Sequence, residues 1–230
     1  RQGRAPVCTR LFAGRYRAAA RGESMKQDHT FIAVVLDRSG SMSSVRADTI
    51  GGFNTFLRDQ KAHPGEATLT LAQFDDQYEI VHDAKPLRDV PDLTDKTYVP
   101  RGSTALHDAI GRTIDSVGAR LASMPESDRP ARVIVLILTD GHENASKEYV
   151  GGRAAQMIAH QREKYAWEFV FMGANQDAAL AAKSLNIAAQ NAANYAATAS
   201  GTRDAYGIMS NSLRSYRSGG SARVDGSGSK

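Results

Sequence analysis

A chain of 230 residues has room for one α/β domain with tails and for a buried core of useful size. Its hydrophobic share of 41% and charged share of 23% are those of an ordinary soluble globular protein. The longest aliphatic stretches, such as 133–138, are far too short to cross a bilayer, and a single cysteine, Cys8, excludes a disulfide within the chain. The sequence therefore reads as cytoplasmic, with no membrane partner.

The net charge of +4 is gathered at one end: residues 1–24 hold six arginines against the single acid Glu23, which leaves the remainder one unit negative. This Arg- and Ala-rich segment resembles an organelle transit peptide or a nucleic-acid arm. Met25-Lys26-Gln27-Asp28 nevertheless leads straight into the first apolar run. Met25 thus reads as the natural start, and no fold is expected in residues 1–24.

Phe31 to Leu36 is short, continuous and rich in β-branched residues, the pattern of a fully buried strand. Ser43 to Lys61 follows as a helix with Val45, Thr49, Phe53, Phe56 and Leu57 along one face, ended by His63-Pro64-Gly65. Two strands, Ala67 to Phe74 and Gln77 to His82, face each other across an Asp75-Asp76 turn. An Asp- and Pro-rich connection leads to Gly102, and Ala105 to Ser123 forms a second helix with Leu106, Ile110, Ile114, Val117 and Leu121 inward. Arg132 to Leu138 is the most apolar strand. A helix is expected over Ser146 to Tyr165, capped by Asn144 or Ser146. Trp167 to Met172 is a strand, Gln176 to Leu185 a short Ala-rich helix, Ile187 to Ala197 a short edge strand and Thr202 to Tyr216 the last helix. The Gly/Ser-rich end from Ser218 to Lys230 is expected to be disordered. This alternation predicts an α/β fold: a mainly parallel sheet with helices on both faces, and ligands beyond the carboxyl ends of its strands.

Chemistry is therefore sought just after each apolar strand. The first strand runs into Asp37-Arg38-Ser39-Gly40-Ser41, the most apolar one into Thr139-Asp140-Gly141, and the Asp/Pro-rich loop ends in Gly102-Ser103-Thr104 at a helix start. Two carboxylates and three hydroxyls thus meet at one sheet edge without any His or Cys cluster. Hard oxygen donors of low total charge suit Mg²⁺ or Mn²⁺, whereas Ca²⁺ wants more ligands and usually a bidentate acid. A cation so weakly neutralised would accept an external carboxylate. Gly40, Gly102 and Gly141 are expected to supply the sharp turns.

The pattern Asp37-x-Ser39-x-Ser41, with Thr104 and Asp140 later in the chain, resembles the metal-ion-dependent adhesion site of von Willebrand factor A domains, from about Phe31 to Arg217. The resemblance implies a Rossmann-like domain over residues 25–217 with six strands in the order 3-2-1-4-5-6, one of them an antiparallel edge strand. It implies that Ser39, Ser41 and Thr104 touch the metal directly, that Asp37 and Asp140 do so directly or through water, and that a partner protein's acidic side chain completes the site. Family members bind proteins and are generally not enzymes. A free-standing chain of this kind looks like the bacterial or phage members, which resemble adaptors acting alongside ATPases or in larger complexes.

Neighbouring polar residues have plainer readings. His142 and Glu143 read as a solvated rim, His107 and Asp108 as packing and capping groups, Trp167 as core, and Arg38 as an outward-pointing, solvated side chain. A Mg²⁺-dependent phosphoryl-transfer enzyme using Asp37 as nucleophile is the alternative function. Such chemistry wants an acid/base carboxylate two residues on, where Ser39 stands, and no phosphate-cradling loop is present. Nucleic-acid binding would rest on residues 1–24 alone, since the body lacks a basic stripe interleaved with aromatics.

Overall fold

The computed structural model describes residues 25–174 and 177–224. The basic segment 1–24, Gln176 at the expected helix start and residues 225–230 lie outside them. In chain order the elements are β1 (Lys26–Asp37), α1 (Arg46–Ala62), β2 (Glu66–Phe74), β3 (Tyr78–Pro86), α2 (Leu106–Ser123), β4 (Pro130–Thr139), α3 (Arg153–Tyr165), β5 (Glu168–Ala174), α4 (Ala178–Ser184), β6 (Ala192–Tyr195) and α5 (Ala199–Arg217).

The six strands form one sheet in the order β3-β2-β1-β4-β5-β6, parallel throughout except for the β2–β3 hairpin. The two-residue period of a strand sorts β1 between two cores. Ile32, Val34 and Leu36 pack on Phe53, Phe56 and Leu57 of α1 and on Tyr206, Met209 and Leu213 of α5. Phe31, Ala33 and Val35 face Ile110, Ile114 and Val117 of α2, Ile158 of α3 and Ala182 of α4. A central strand covered on both faces has no polar side, so its sequence is continuously apolar. Among the described residues no helix is long and apolar enough to cross a membrane.

Three expectations are corrected. The third helix begins at Arg153, not Ser146. The Asp108 carboxylate accepts from the N–H groups of Lys147, Glu148 and Tyr149 at 2.8–2.9 Å, and Gly151 and Gly152 follow with positive φ, so the chain between them cannot be helical. Neither expected cap serves that helix: Asn144 and Ser146 accept instead from the N–H groups of Thr104 and Asp108. Residues 218–224, expected to be disordered, close over one core, where Ala222 and Val224 are buried and the Val224 N–H donates to the Gln190 carbonyl at 2.9 Å. The stretch from Ile187 to Ala197 does supply an edge strand, β6, parallel to β5.

Helices α1 and α5 meet where Gly52 has no side chain: a Cβ there would lie 2.3 Å from the Tyr206 ring. Gly118 in α2 has nothing within 4 Å of such an atom. Gly52→Ala is therefore expected to cost about 1–3 kcal/mol of overpacking, and Gly118→Ala to gain up to about 1 kcal/mol through lost chain entropy. Urea unfolding of both variants measures this. A neutral Gly52→Ala would mean that the α1–α5 contact is looser than described.

Candidate metal centre

Strands β1 and β4 are neighbours in the sheet, and their register sets Leu36 beside Leu138, which brings Asp37 level with Thr139. This is also where strand order reverses, because the chain lays β2 and β3 on one side of β1 and the later strands on the other. Parallel strands end there without a connecting loop over the crevice, so side chains from separate loops converge.

Asp37 is fully buried at the end of β1. Its Oδ1 accepts from the Ser39 N–H at 2.6 Å and its Oδ2 from the Thr139 hydroxyl at 2.5 Å. From Ser39 a short relay leads outward: its Oγ lies 3.2 Å from the Ser41 Oγ, which donates to Asp140 Oδ1 at 2.5 Å. Ser39, Thr104 and Asp140 are buried, while Gly40, Ser41 and Ser103 are exposed, so the cluster opens to solvent on one side. Thr104 is set by Asn144, whose side chain accepts the Thr104 N–H at 2.9 Å and whose N–H donates back to the Thr104 carbonyl at 3.0 Å. Its Oγ1 approaches Gly141 so closely that a Cβ on that glycine would come within 2.9 Å.

All five residues of the sequence motif thus come together. The glycines act differently from the expectation of three sharp turns. Of the three only Gly102 has a positive φ, at 67°, whereas Gly141 leaves room for the Thr104 hydroxyl and Gly40 donates its N–H to the Gly102 carbonyl at 3.1 Å.

Arg38 is also corrected. It is buried, and its Nε donates to Asp75 Oδ2 at 3.0 Å and its Nη1 to Glu79 at 2.6 Å, so its charge points away from the two site carboxylates. Glu143 is no solvated rim residue either: its carboxylate accepts from the N–H groups of His107, Ala145 and Ser146 and from the Ser146 hydroxyl. His142 is exposed, and Asp108 is a capping group as read.

Sequence reasoning missed Thr139, Asp75 and Tyr98, whose hydroxyl donates to the Asp37 carbonyl at 2.6 Å. Thr139 adjoins Asp140 and could have been read as part of the motif. Asp75 looked like a turn residue, and Tyr98 carried no signal.

Burial pushes the Asp37 carboxyl up to about 6, against the lowering effect of its bonds to Thr139 and Ser39 and with some help from the Asp140 charge. Burial raises Asp140 too, and its bond from Ser41 only partly offsets this. Two carboxylates held at the cost of desolvation and backed by hydroxyl oxygens match a hard divalent cation. Among the described residues no three His, Cys, Asp or Glu side chains gather in one place, so an ion here would take most of its protein ligands from hydroxyls.

No protein-family model and no curated protein matches the chain. Solved structures do. Proximal thread matrix protein 1 from the mussel byssus gives a TM-score of 0.54 at 18% identity, over 81% of this chain and 46% of that one. Another structure of that protein, with zinc in its MIDAS motif, gives 0.51 at 19% identity, over 79% and 46%. A von Willebrand factor type A structure from Catenulispora acidiphila gives 0.52 at 12%, over 82% of this chain and 43% of that one. The vWF domain of the type V pili tip protein Mfa5 from Porphyromonas gingivalis gives 0.53 at 12%, over 80% and 94%. The chain thus spans about half the length of the mussel structures and nearly all of the pilus-tip domain.

In metal-free protein, Asp37 keeps its proton up to about pH 6 when folded but releases it near its ordinary value of 3.8 when unfolded. The native state binds more protons across that window, so stability falls as pH rises through it, by up to about 3 kcal/mol. Urea unfolding in chelator between pH 4 and 7 is expected to show a fall that Asp37→Asn reduces. Identical profiles for the two proteins would refute the assignment. In strand order, direction of pairing and superposition on these structures, the chain has the von Willebrand factor A fold.

Proposed function

We propose that the loops after β1, before α2 and after β4 hold one Mg²⁺ or Mn²⁺ ion, and that the protein is a binding module which captures a partner protein through a carboxylate on that ion. Ser39, Ser41 and Thr104 would be direct ligands, with Asp37 and Asp140 bound directly or through water. The observation that carries this reading is the hydrogen-bonded cluster in which the Ser39 N–H donates to Asp37 Oδ1 and the Ser39 Oγ leads through the Ser41 Oγ to Asp140 Oδ1. The zinc found in the MIDAS motif of the mussel protein supports it. An ion bound there would offer an electron-poor coordination position to an external oxygen anion.

The same geometry weighs against the phosphoryl-transfer alternative. A nucleophilic aspartate needs an accessible oxygen, yet Asp37 is fully buried with both oxygens engaged by Ser39 and Thr139. The position two residues on is a hydroxyl that belongs to the relay, not a carboxylic acid. We accordingly read the chain as non-enzymatic and cytoplasmic, with an acidic protein as its partner, in the manner of an adaptor beside an ATPase.

Calorimetric titration of Mg²⁺ and Mn²⁺ tests the site. One ion per chain is expected, lost in Asp37→Ala and weakened about fivefold or more in Thr104→Ala, since a direct oxygen ligand contributes about 1 kcal/mol or more and about 1.4 kcal/mol is tenfold. Gly141→Ala, which drives a methyl against the Thr104 hydroxyl, is expected to weaken the ion while leaving both loops in sequence unchanged otherwise. Folded wild-type protein that takes up no ion at millimolar concentration would refute the metal-site reading.

A further inference from the structure

Beside the metal loops lies an open cleft of about 300 Å³ lined by Arg38, Lys96, Val99, Arg101, Glu79 and Val81. Its position is fixed by the backbone. Arg38 stands between Asp37 and Ser39, Arg101 lies three residues before Thr104, and the Arg101 N–H donates to the Arg38 carbonyl at 2.8 Å. The cleft therefore begins where the metal loops end, and it runs onto β3, whose outer side is an edge of the sheet.

Its chemistry differs from that of the surrounding body. Residues 25–224 carry one net negative charge, yet here the exposed cations Lys96 and Arg101 stand together, beside Arg38, whose charge is already taken by Asp75 and Glu79. Arg38 and Arg101 are held in place by Asp75, while Arg101 remains 52% exposed. Lys96 is exposed, and none of the ion pairs among the described residues includes its ammonium group. Val99, 49% exposed, is one of few large apolar side chains left in solvent among the described residues, and it stands beside these cations with the half-buried Val81. Cations on an apolar wall next to a carboxylate-seeking site suit an acidic peptide segment: the charged head pairs while the chain covers the valines.

Resting on the metal-site reading above, we propose that this cleft is a second subsite for the same partner, taking an acidic side chain two to four residues away from the carboxylate bound at the ion. An extended segment advances about 3.3 Å per residue, so that spacing reaches about 7–13 Å along the surface. The partner is then a segment with two spaced acidic residues, and its direction across the protein is set by the cleft.

The test uses the full chain in Mg²⁺ with synthetic Gly/Ser peptides bearing one Asp, or a second Asp, Asn or Lys two, three or four positions away, followed by NMR titration. At one of these spacings the second Asp is expected to tighten binding about fivefold, the gain of a partly exposed ion pair, and to shift the amides of Lys96, Thr97 and Val99. Lys96→Glu should abolish that gain, and Glu79→Gln, which removes the exposed acid of the cleft, should enlarge it. Equal binding of the Asp and Asn peptides at all three spacings overturns the subsite. If the one-Asp peptide still binds and needs Mg²⁺, the metal reading survives that failure. If no peptide binds to ion-loaded protein, the partner reading falls with it.

Discussion

Asp75 sits without exposed surface in the turn between β2 and β3, where its Oδ2 accepts from the Nε atoms of Arg38 at 3.0 Å and Arg101 at 2.8 Å. Its Oδ1 accepts the Gln77 N–H at 2.6 Å, and its backbone carbonyl takes the Ala105 N–H at 2.9 Å. Burying a lone carboxylate costs several kcal/mol. Burial does push the Asp75 carboxyl up, but the bonds from Arg101 and Gln77 and the two guanidinium charges outweigh it, and the group titrates below its ordinary value. The consequence is positional. Arg38 belongs to the loop of Asp37, Ser39 and Ser41, and Arg101 to the loop that ends in Thr104. One carboxylate thus locks two chain segments some sixty residues apart, and for an ion held between those loops ligand distances would matter to about 0.2 Å.

Asp37 is the opposite case. It is as buried as Asp75, but the one nearby arginine in its own loop is turned away and spent on Asp75 and Glu79. Hydrogen bonds from Ser39 and Thr139 do not compensate for burial, and the carboxyl is pushed up to about 6. The fold therefore tolerates an electrostatic cost at the end of its central strand, while it satisfies Asp75, likewise without exposed surface, in the β2–β3 turn. Local conflict of this kind persists in native proteins chiefly where a ligand relieves it. A cation beside Asp37 and Asp140 would do so directly, and the gain would appear as added stability of the folded state.

The strands and the covering of the sheet by helices on both faces were legible because each rests on a strong local pattern, whereas the strand order came from the family resemblance. Continuous apolar runs mark strands buried on both faces, and an Asp or Thr just past such a run has little choice but to stand at the carboxyl edge. What could not be read depends on contacts between distant residues. The helix boundary at Arg153 is set by Asp108, some forty residues earlier, drawing three backbone N–H groups to its carboxylate. Arg38 looks like any surface arginine until the β2–β3 turn brings Asp75 against it. Ala222 and Val224 are isolated apolar residues in a Gly/Ser-rich end, and only the fold supplies the core that buries them. The basic segment 1–24 and the last six residues lie outside the described structure, so their readings stand as expectations.

The balance of donors at the site explains why an ion there would take an external carboxylate, but not why it would prefer a partner over a small anion. Two carboxylates neutralise a divalent ion only formally, and neutral hydroxyls add little charge. An ion bound there and an external carboxylate would strengthen each other, since each would relieve part of the other's desolvation. Free carboxylates would satisfy such an ion equally well, however, so the ion alone cannot discriminate. Discrimination has to come from surface that is rigid, close to the ion and chemically distinct. The loop edge beside Arg38 and Arg101 meets all three conditions because the same Asp75 that aligns the two site loops also fixes these two guanidinium groups. Rigid metal geometry and partner selectivity would then share one anchor, and neither could be altered through Asp75 without disturbing the other.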